Sequence, residues 1–571
     1  MKPARVTRLS LALTLVATGL WWLSTDRARL ALGEYGLLTS FPPGYLLAVG
    51  LVTIASFLLW RSPEGHGGLL FCQLFLVIAS LLLVPVLIGG QHRGGSVWIN
   101  GFPEVDYVLQ QGHLNAWARW YHVYPTAWIF SAALIQILGV TDVNLLYNVT
   151  PFFWQLVYFP LVYVFLRNSI GAHRMREIWA GVWLFYLAEW LGFSSLHPQT
   201  FGWIFFLVLL ALLSVGWRRR GGTDAHRLPS TLVSAGLILS HSLSSLFGLA
   251  AMAILVLRKQ VSVTLLVVLT LGLAAWTLYG AAIFFESNLG EAIDHAFRID
   301  EVWRLGFATR VASPNPAHDL LNTLRFWYTA AFLAVGLLGM ILRLIAGKPG
   351  GQDLNMVGMG TGIILVALAT GFSYRHEIID KTYLFGLPFL AYFGATLLRR
   401  QVTAMLVYLL LLLAPPAYMA THYANALTDH LSRANLAGLS FFNRHTAGGG
   451  TLTGNYNAWG VPVYAGWLVS YYEYPPQGFV PIGGILRHPE TYAGIPFEQL
   501  RFRSDGALAE GSDLTYPHYI AVSQRDQAVY YWVWNRRDFI RQVEASLENA
   551  ANCSLVYSSP GMRLHIVERG L

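Results

Sequence analysis

The sequence predicts a polytopic α-helical membrane protein that carries a small α/β domain at its C-terminus. Of its 571 residues, 55% are apolar and only 12% are charged, with a mean hydropathy of +0.48. This leaves too little polar surface to cover a soluble globule. Apolar runs long enough to cross about 30 Å of hydrocarbon recur from residue 9 to residue 419. Residues 421–571 instead combine scattered charges, Gly, Pro and short alternating segments, so we predict a membrane domain over 1–420 and a soluble domain over 421–571.

Charge and cysteine content exclude two other classes of protein. The net charge is +8, but Lys and Arg collect in the cytoplasmic loops of membrane proteins, so the excess does not indicate nucleic-acid binding. Cys72 and Cys553 are too few for a disulfide framework. The basic start and apolar run of the first residues resemble a signal peptide without a cleavage site, which predicts a retained first span.

The basic loops set the predicted topology. With Lys2, Arg5 and Arg8 in the cytoplasm, about thirteen crossings place the basic clusters inside and the C-terminal domain outside the cell membrane. Long external loops are then expected at 89–124 and 286–325, and the second can act as a lid or be a solvated amphipathic face. The predicted spans cover residues 9–24, 45–60, 69–88, 149–166, 178–191, 201–217, 261–279, 326–342, 356–369, 383–398 and 402–419.

Two apolar segments do not fit simple alternation. Residues 124–140 would place later Arg clusters outside if they crossed, so they are predicted to form a re-entrant or surface-lying helix. Residues 231–256 have basic residues on both sides, which predicts two short half-spans that double back at His241. A polar turn within a membrane is costly unless it meets a partner or water, so His241 is either functional or structurally satisfied.

The first external loop contains the leading acidic candidates, Glu104 and Asp106. A carboxylate there can take a proton from an acceptor hydroxyl or hold a divalent ion such as Mg²⁺ or Mn²⁺ beside a phosphate. The same residues after Pro103 are also typical of an ordinary helix start, and residues two apart do not share a helical face. His113 and His122 in this loop can contact substrate or simply pack in an aromatic-rich interface.

The external segment SYRHEIIDK (373–381) contains the cationic candidates. Arg375 can hold a phosphate through a bidentate fork and Lys381 through a point charge, with His376 beside them. The alternative is snorkelling to the interface, or an ion pair with Glu377 or Asp380. No zinc spacing, phosphate-binding glycine loop or nucleophile elbow occurs in the sequence.

The C-terminal region has the pattern of a small α/β fold. HYIAVS (518–523) is typical of a strand, RRDFIRQVEASLENA (536–550) of an amphipathic helix, and CSLVYSSPGMRLHIVE (553–568) of a hairpin that turns at Pro560 and Gly561.

The order of these features resembles the GT-C membrane glycosyltransferases, the superfamily of protein O-mannosyltransferases, aminoarabinose transferases and oligosaccharyltransferase catalytic subunits. The resemblance covers most of the chain. It lies in Asp106-Tyr107, then Gly112 and Tyr124-Pro125 before an apolar helix, the polar hairpin tip at His241, Arg375 before LFGLPFLAYFGA, and the external domain that ends in a hairpin.

This resemblance implies an inverting glycosyltransferase that takes a sugar from a polyprenyl-phosphate carrier and gives it to an external glycan, lipid or protein. It implies Asp106, with Glu104 in support, as base or metal ligand. Arg375, Lys381, His241 and His376 would hold the donor phosphate, and His113, His122 and Tyr107 would contact substrate. The family pairs two adjoining acids, whereas Val105 separates them here, which leaves the paired role and the metal open.

Two other classes stay open from the sequence. A transporter or flippase of a lipid-linked or polar solute predicts charges and broken helices near the bilayer midplane, whereas most charges here lie at helix ends. A noncatalytic membrane assembly subunit would use the first-loop acids only as helix caps.

Overall fold

A computed structural model gives the architecture of the chain. The structure describes residues 3–28, 33–60, 63, 65–89, 104, 105, 107–116, 120–140, 143–191, 196–216, 227–285, 315–345, 349–370, 377–423, 437, 438, 441, 445, 451–454, 480, 481, 518–523, 538–549, 553–560 and 562–567.

The described part of the chain up to residue 423 is helical. Its α-helices are α1 (Pro3–Arg27), α2 (Pro43–Leu59), α3 (Gly67–Ile78), α4 (Val84–Gly89), α5 (Pro125–Leu138), α6 (Val143–Ile170), α7 (Met175–Ala188), α8 (Pro198–Gly216), α9 (Arg227–Ser240), α10 (Ser242–Leu257), α11 (Val263–Ala275), α12 (Pro316–Ile345), α13 (Gly351–Thr370), α14 (Glu377–Thr396) and α15 (Gln401–His422). The π-helical segments Ala79–Leu83 and Trp276–Gly280 extend α3 and α11. Short 3₁₀ turns lie at Leu38–Ser40, Trp120–Val123 and Leu397–Arg399.

These helices confirm an integral membrane protein. Eight helical segments in the described residues are long and apolar enough to span a bilayer, and four shorter apolar helices accompany them. Each predicted span coincides with a helix. Because α7, α9 and α10 have 14 to 16 residues, they fall short of the roughly 20 residues that one crossing needs. The number of thirteen crossings and the course of α5 in the membrane therefore stay predictions.

The predicted break in residues 231–256 is confirmed. Helix α9 ends at Ser240, α10 begins at Ser242, and His241 between them adopts an extended conformation with φ −167° and ψ 129°.

Helix α7 lies at the centre of the bundle. Every residue from Ile178 to Ala188 is buried, and it packs against α6, α14 and α15. A helix end leaves carbonyl oxygens without intrahelical partners. Here three tyrosine hydroxyls from three other helices donate to them: Tyr328 to Leu187, Tyr383 to Ala188 and Tyr418 to Glu189.

A buried polar network joins α1, α2 and α3. The amide nitrogen of Gln73 donates to the hydroxyls of Ser10 at 3.0 Å and Thr14 at 2.8 Å, and its amide oxygen accepts from Ser56 at 2.9 Å. Polar side chains that bond across helices hold membrane bundles together where the hydrophobic effect does not. The network thereby fixes the first helices against each other.

A second polar cluster joins α12, α13 and α14 at the end predicted to face the cytoplasm. The carboxylate of Asp353 is 1% exposed and accepts from Arg343 Nε at 3.0 Å and from the Gly350 N–H at 2.8 Å. The hydroxyl of Tyr392 donates to its other oxygen at 2.9 Å. Each oxygen of this buried carboxylate therefore has a donor.

The π-helical segment before α4 has a local cause in Pro85. The N–H of Val84 donates to Ala79, five residues back, and Pro85 has no N–H to give. The carbonyls of Ser80 and Leu81 consequently lose their helical donors, and two tyrosine hydroxyls replace them: Tyr45 donates to Ser80 at 2.6 Å and Tyr423 to Leu81 at 2.8 Å.

The described part of the C-terminal region contains a mixed five-stranded sheet. The strands are β1 (Thr451–Gly454), β2 (Val480–Pro481), β3 (His518–Ser523), β4 (Cys553–Ser559) and β5 (Met562–Val567), in the order β2-β1-β3-β5-β4. Strands β1 and β3 are parallel, whereas β5 is antiparallel to β3 and β4. Helix α16 (Phe539–Asn549) packs on β4. The strand, the helix and the hairpin expected from the sequence are thus confirmed, and the boundary at 420/421 stays a prediction.

Candidate active site

In the described part of the first loop, a fully buried carboxylate pairs with a histidine. Glu104 is 0% exposed, and its Oε2 lies 2.7 Å from Nε2 of His122, whose side chain is 1% exposed. An ionised carboxylate is costly to bury unless it is paired, and His122 supplies the partner.

His122 is itself held in place by its surroundings. Its Nδ1 lies 3.0 Å from the backbone nitrogen and 3.1 Å from the backbone oxygen of Asn115. The ring of Tyr107 is 5.4 Å from that of His122 and 5.9 Å from that of His113. His113 is exposed, so the two loop histidines occupy different environments, and their contacts with substrate stay predictions.

The Tyr124-Pro125 step connects this loop to the hairpin tip. Pro125 occupies the first turn of α5, where its missing N–H is not needed. The ring of Tyr124 lies 6.1 Å from that of His241 and 5.6 Å from that of Phe284. The first loop and the α9–α10 turn therefore meet at Tyr124.

His241 begins α10 as its N-cap. Its Nδ1 accepts a hydrogen bond from the backbone N–H of Ser244 at 3.3 Å. Because a backbone N–H only donates, Nδ1 is unprotonated here, and the neutral ring carries its proton on Nε2. Helix α8 approaches this turn closely at Gly202, where a Cβ would meet the Ser244 side chain at 2.5 Å.

Lys381 and His197 complete the cluster around His241. Lys381, on the second turn of α14, is 2% exposed, and its charge acts on both His197 and His241. His197 precedes Pro198 at the start of α8, and its ring lies 6.1 Å from that of Trp128 on α5. Burial, and then the charge of Lys381, lower the pKa of His197 to about 3. His197 is therefore neutral at physiological pH.

The structure thus brings four chain segments to one place: the first loop with α5, the start of α8, the α9–α10 turn and the start of α14. Of the residues predicted from the sequence, Glu104, Tyr107, His113, His122, His241 and Lys381 are described. Asp106, Arg375 and His376 lie outside the described residues. No group of three His, Cys, Asp or Glu side chains that could hold a metal ion occurs in the described part, so the expectation of Mg²⁺ or Mn²⁺ stays a prediction.

His197 is the site residue that the sequence reasoning did not select. Its signal is the polar sequence HPQT (197–200) between the two apolar spans predicted at 178–191 and 201–217. A second unselected group is Glu189 at the end of α7, which is 1% exposed and accepts from the amide of Gln155 at 2.8 Å. A carboxylate inside an apolar segment is an informative signal in a membrane protein.

An apolar cavity of about 470 Å³ lies between α12, α13 and α14. Its lining residues on α14 include Ile378, Thr382, Gly386 and Phe389. These positions recur at helical spacing on one face, and Lys381 projects from another. Helix α14 therefore separates an apolar space from the polar cluster.

The fold has counterparts among solved structures. The oligosaccharyltransferase of Archaeoglobus fulgidus, crystallised with a tethered acceptor peptide that contains the NVT sequon, matches with a TM-score of 0.50 at 12% identity, over 89% of this chain and 74% of that one. ArnT from Cupriavidus metallidurans, bound to undecaprenyl phosphate, matches with a TM-score of 0.46 at 10% identity, over 88% of this chain and 98% of that one. No protein-family model and no curated protein matches the chain. The oligosaccharyltransferase match shows that the chain has a GT-C-like fold, which the family resemblance implied.

Proposed function

We propose that this protein is a membrane glycosyltransferase that moves a sugar from a polyprenyl-phosphate carrier to an acceptor outside the cytoplasm. One observation carries the proposal: the buried Lys381 lies near His197 and His241 where four segments of a GT-C-like fold meet, and the first loop reaches the same place through Tyr124. A buried cation flanked by imidazoles is suited to a phosphate group.

The chemistry assigns separate parts of the reaction to the two sides of this cluster. The acceptor oxygen attacks the anomeric carbon of the sugar, and the bond from that carbon to the phosphate oxygen breaks. The phosphate leaves with the electron pair, and negative charge grows on it in the transition state. Lys381 stabilises this charge, and the Nε2–H of His241 would donate a hydrogen bond to the phosphate for the same purpose. The inverting outcome follows from attack opposite the leaving phosphate.

The proton of the acceptor goes to a carboxylate of the first loop. We assign this role to Asp106, with Glu104 in support, because Glu104 is already engaged by His122. Arg375 and His376 would add to the phosphate site from the segment just before α14. Tyr107, His113 and His122 border the acceptor side.

The lipid part of the donor requires apolar space within the bundle. The cavity between α12, α13 and α14 offers such space, and the head group would lie at the external ends of the helices. The N-terminus would then be cytoplasmic, and the sheet of β1–β5 would lie outside, where it can help to bind the acceptor.

Replacing Lys381 with Met tests the proposal. Met keeps the length of the side chain and removes the charge, so it should abolish sugar transfer and weaken binding of a synthetic polyprenyl phosphate at least tenfold. Transfer and binding are measured in lipid nanodiscs, with melting followed in parallel.

The matched control is Lys259→Met, at an exposed lysine beyond the end of α10, which should leave both readouts unchanged. A wild-type protein that moves polyprenyl-phosphate sugars across vesicles without transferring them would instead support the flippase class. Full transfer activity of Lys381→Met would remove the phosphate site from Lys381.

A further inference from the structure

We infer that His122 is a positioning residue that orients the Glu104 carboxylate and, through it, the acceptor side of the site. This inference rests on the proposed function. It assigns His122 a role different from the substrate contact that the sequence suggests. The observation behind it is the 2.7 Å approach of two side chains that are 1% and 0% exposed.

Glu104 is enclosed by the protein together with its neighbours in the chain. Glu104 and Val105 are fully buried, and Tyr107 is 5% exposed, so this short helical segment is inserted into the protein rather than displayed on the surface. A buried carboxylate has few arrangements that satisfy it, so a partner in close contact restricts its orientation. His122 is such a partner, eighteen positions away on the other arm of the loop.

His122 is held in place on several sides. One ring nitrogen meets the backbone of Asn115 and the other meets Glu104, while the ring of Tyr107 packs on the imidazole. A ring held at both nitrogens cannot rotate without breaking one contact. His122 therefore fixes the position of the Glu104 carboxylate relative to the backbone of Asn115. Such an arrangement is expected where a side chain must stay within a narrow range of positions.

The Glu104–His122 pair is connected to the proposed phosphate side through Tyr124. His122 lies two residues before Tyr124, which contacts His241. Loosening His122 should thus disturb the spacing between the first-loop carboxylates and the phosphate cluster, while Lys381 itself stays in place. Such a misplacement lowers the rate of transfer and leaves donor binding intact.

The experiment compares His122→Leu with His122→Gln in nanodiscs. Leu removes both polar atoms, whereas the Gln amide nitrogen reaches about as far as Nε2 and can still donate to Glu104. We expect His122→Leu to lower kcat on the order of 100-fold with the KM for the donor unchanged within twofold. We expect His122→Gln to recover most of the lost kcat. His173→Leu, at an exposed histidine between α6 and α7, is the control and should match wild type.

Equal losses of kcat in both His122 variants, or a rise in the donor KM with kcat preserved, would overturn the inference. The pair can also be examined apart from catalysis by melting Glu104→Gln, His122→Leu and the double variant. A coupled pair predicts that the double variant melts near the worse single variant instead of showing the sum of both losses. If the wild type transfers no sugar, the proposed function is wrong, but the melting experiment still tests the coupling between Glu104 and His122. Additive losses of melting temperature would show that the two residues are not coupled.

Discussion

At the scale of single residues, the two members of a buried ion pair contribute unequally to stability. In the cluster at the end of α12, the Asp353 side chain is 1% exposed and the Arg343 side chain is 35% exposed. Removing Arg343 leaves a buried carboxylate whose donors among the described residues are Tyr392 and the Gly350 N–H. Removing the charge of Asp353 leaves a cation that can extend toward water.

We therefore predict that Arg343→Met destabilises the protein by about 3 kcal/mol, and Asp353→Asn by only about 1–2 kcal/mol. Chemical denaturation in mixed micelles measures both. Arg174→Met, which loses an ion pair of 3.9 Å at a 37% exposed side chain, should stay within about 0.5 kcal/mol of wild type. The reverse order, with Asp353→Asn the costlier change, would show that the pair is not held as described.

At the scale of elements, the π-helical segment before α4 shows how one proline recruits distant hydroxyls. Pro85 cannot donate to Leu81, and the hydroxyl of Tyr423 at the end of α15 does so instead. The contact joins parts of the chain that are far apart in sequence. It exists because a carbonyl in a low-dielectric interior needs a donor.

We therefore predict that the stabilisation contributed by the Tyr423 hydroxyl depends on Pro85. Tyr423→Phe should cost about 1 kcal/mol in the natural sequence, and less than half of that in a Pro85→Ala background, where residue 85 regains an N–H. A double-mutant cycle followed by thermal melting measures the difference. Tyr163→Phe, whose hydroxyl makes only a 3.9 Å contact with the sulfur of Met175, should cost the same in both backgrounds. An undiminished cost of Tyr423→Phe in the Pro85→Ala background would refute the link.

The elements themselves could largely be predicted from the sequence, because hydrophobic length and flanking charge are local properties. The basic residues on both sides of 231–256 predicted the break that the structure places at His241. The hairpin of β4 and β5 followed from alternation and turn residues.

Contacts that depend on tertiary packing could not be predicted in this way. The sequence did not decide whether Glu104, His241 and Lys381 are buried site residues, since each also had an ordinary structural explanation. The pairing of Glu104 with His122 and the approach of His197 to Lys381 arise only when separate helices pack. The three tyrosines that donate to the end of α7 lie on three other helices, so no single segment of the sequence predicts this arrangement.

At the scale of the whole molecule, the proposed orientation places the C-terminal sheet outside. The two cysteines are not joined by a disulfide; Cys72 lies on α3, and Cys553 is half-buried at the start of β4. A Cys72→Ala variant would carry Cys553 as its one cysteine.

We predict that a membrane-impermeant maleimide labels Cys553 in this variant from outside, in intact cells whose outer barriers have been removed. Adding Lys259→Cys to a variant without native cysteines should give labelling only after the cell membrane is permeabilised, because the α10–α11 turn is expected in the cytoplasm. Labelling of Cys553 only after permeabilisation would reverse the topology, and an external transfer site would be lost with it.

The tyrosine-capped end of α7 has a consequence for the position of the proposed phosphate site. Tyr383 stands two residues after Lys381 on α14, and its hydroxyl is bonded to Ala188 at 3.0 Å. This hydrogen bond ties the second turn of α14 to the buried end of α7 and restrains the position of Lys381. The cation of the proposed phosphate site is thus anchored to the centre of the bundle, as the Glu104 carboxylate is anchored to the backbone of Asn115 through His122.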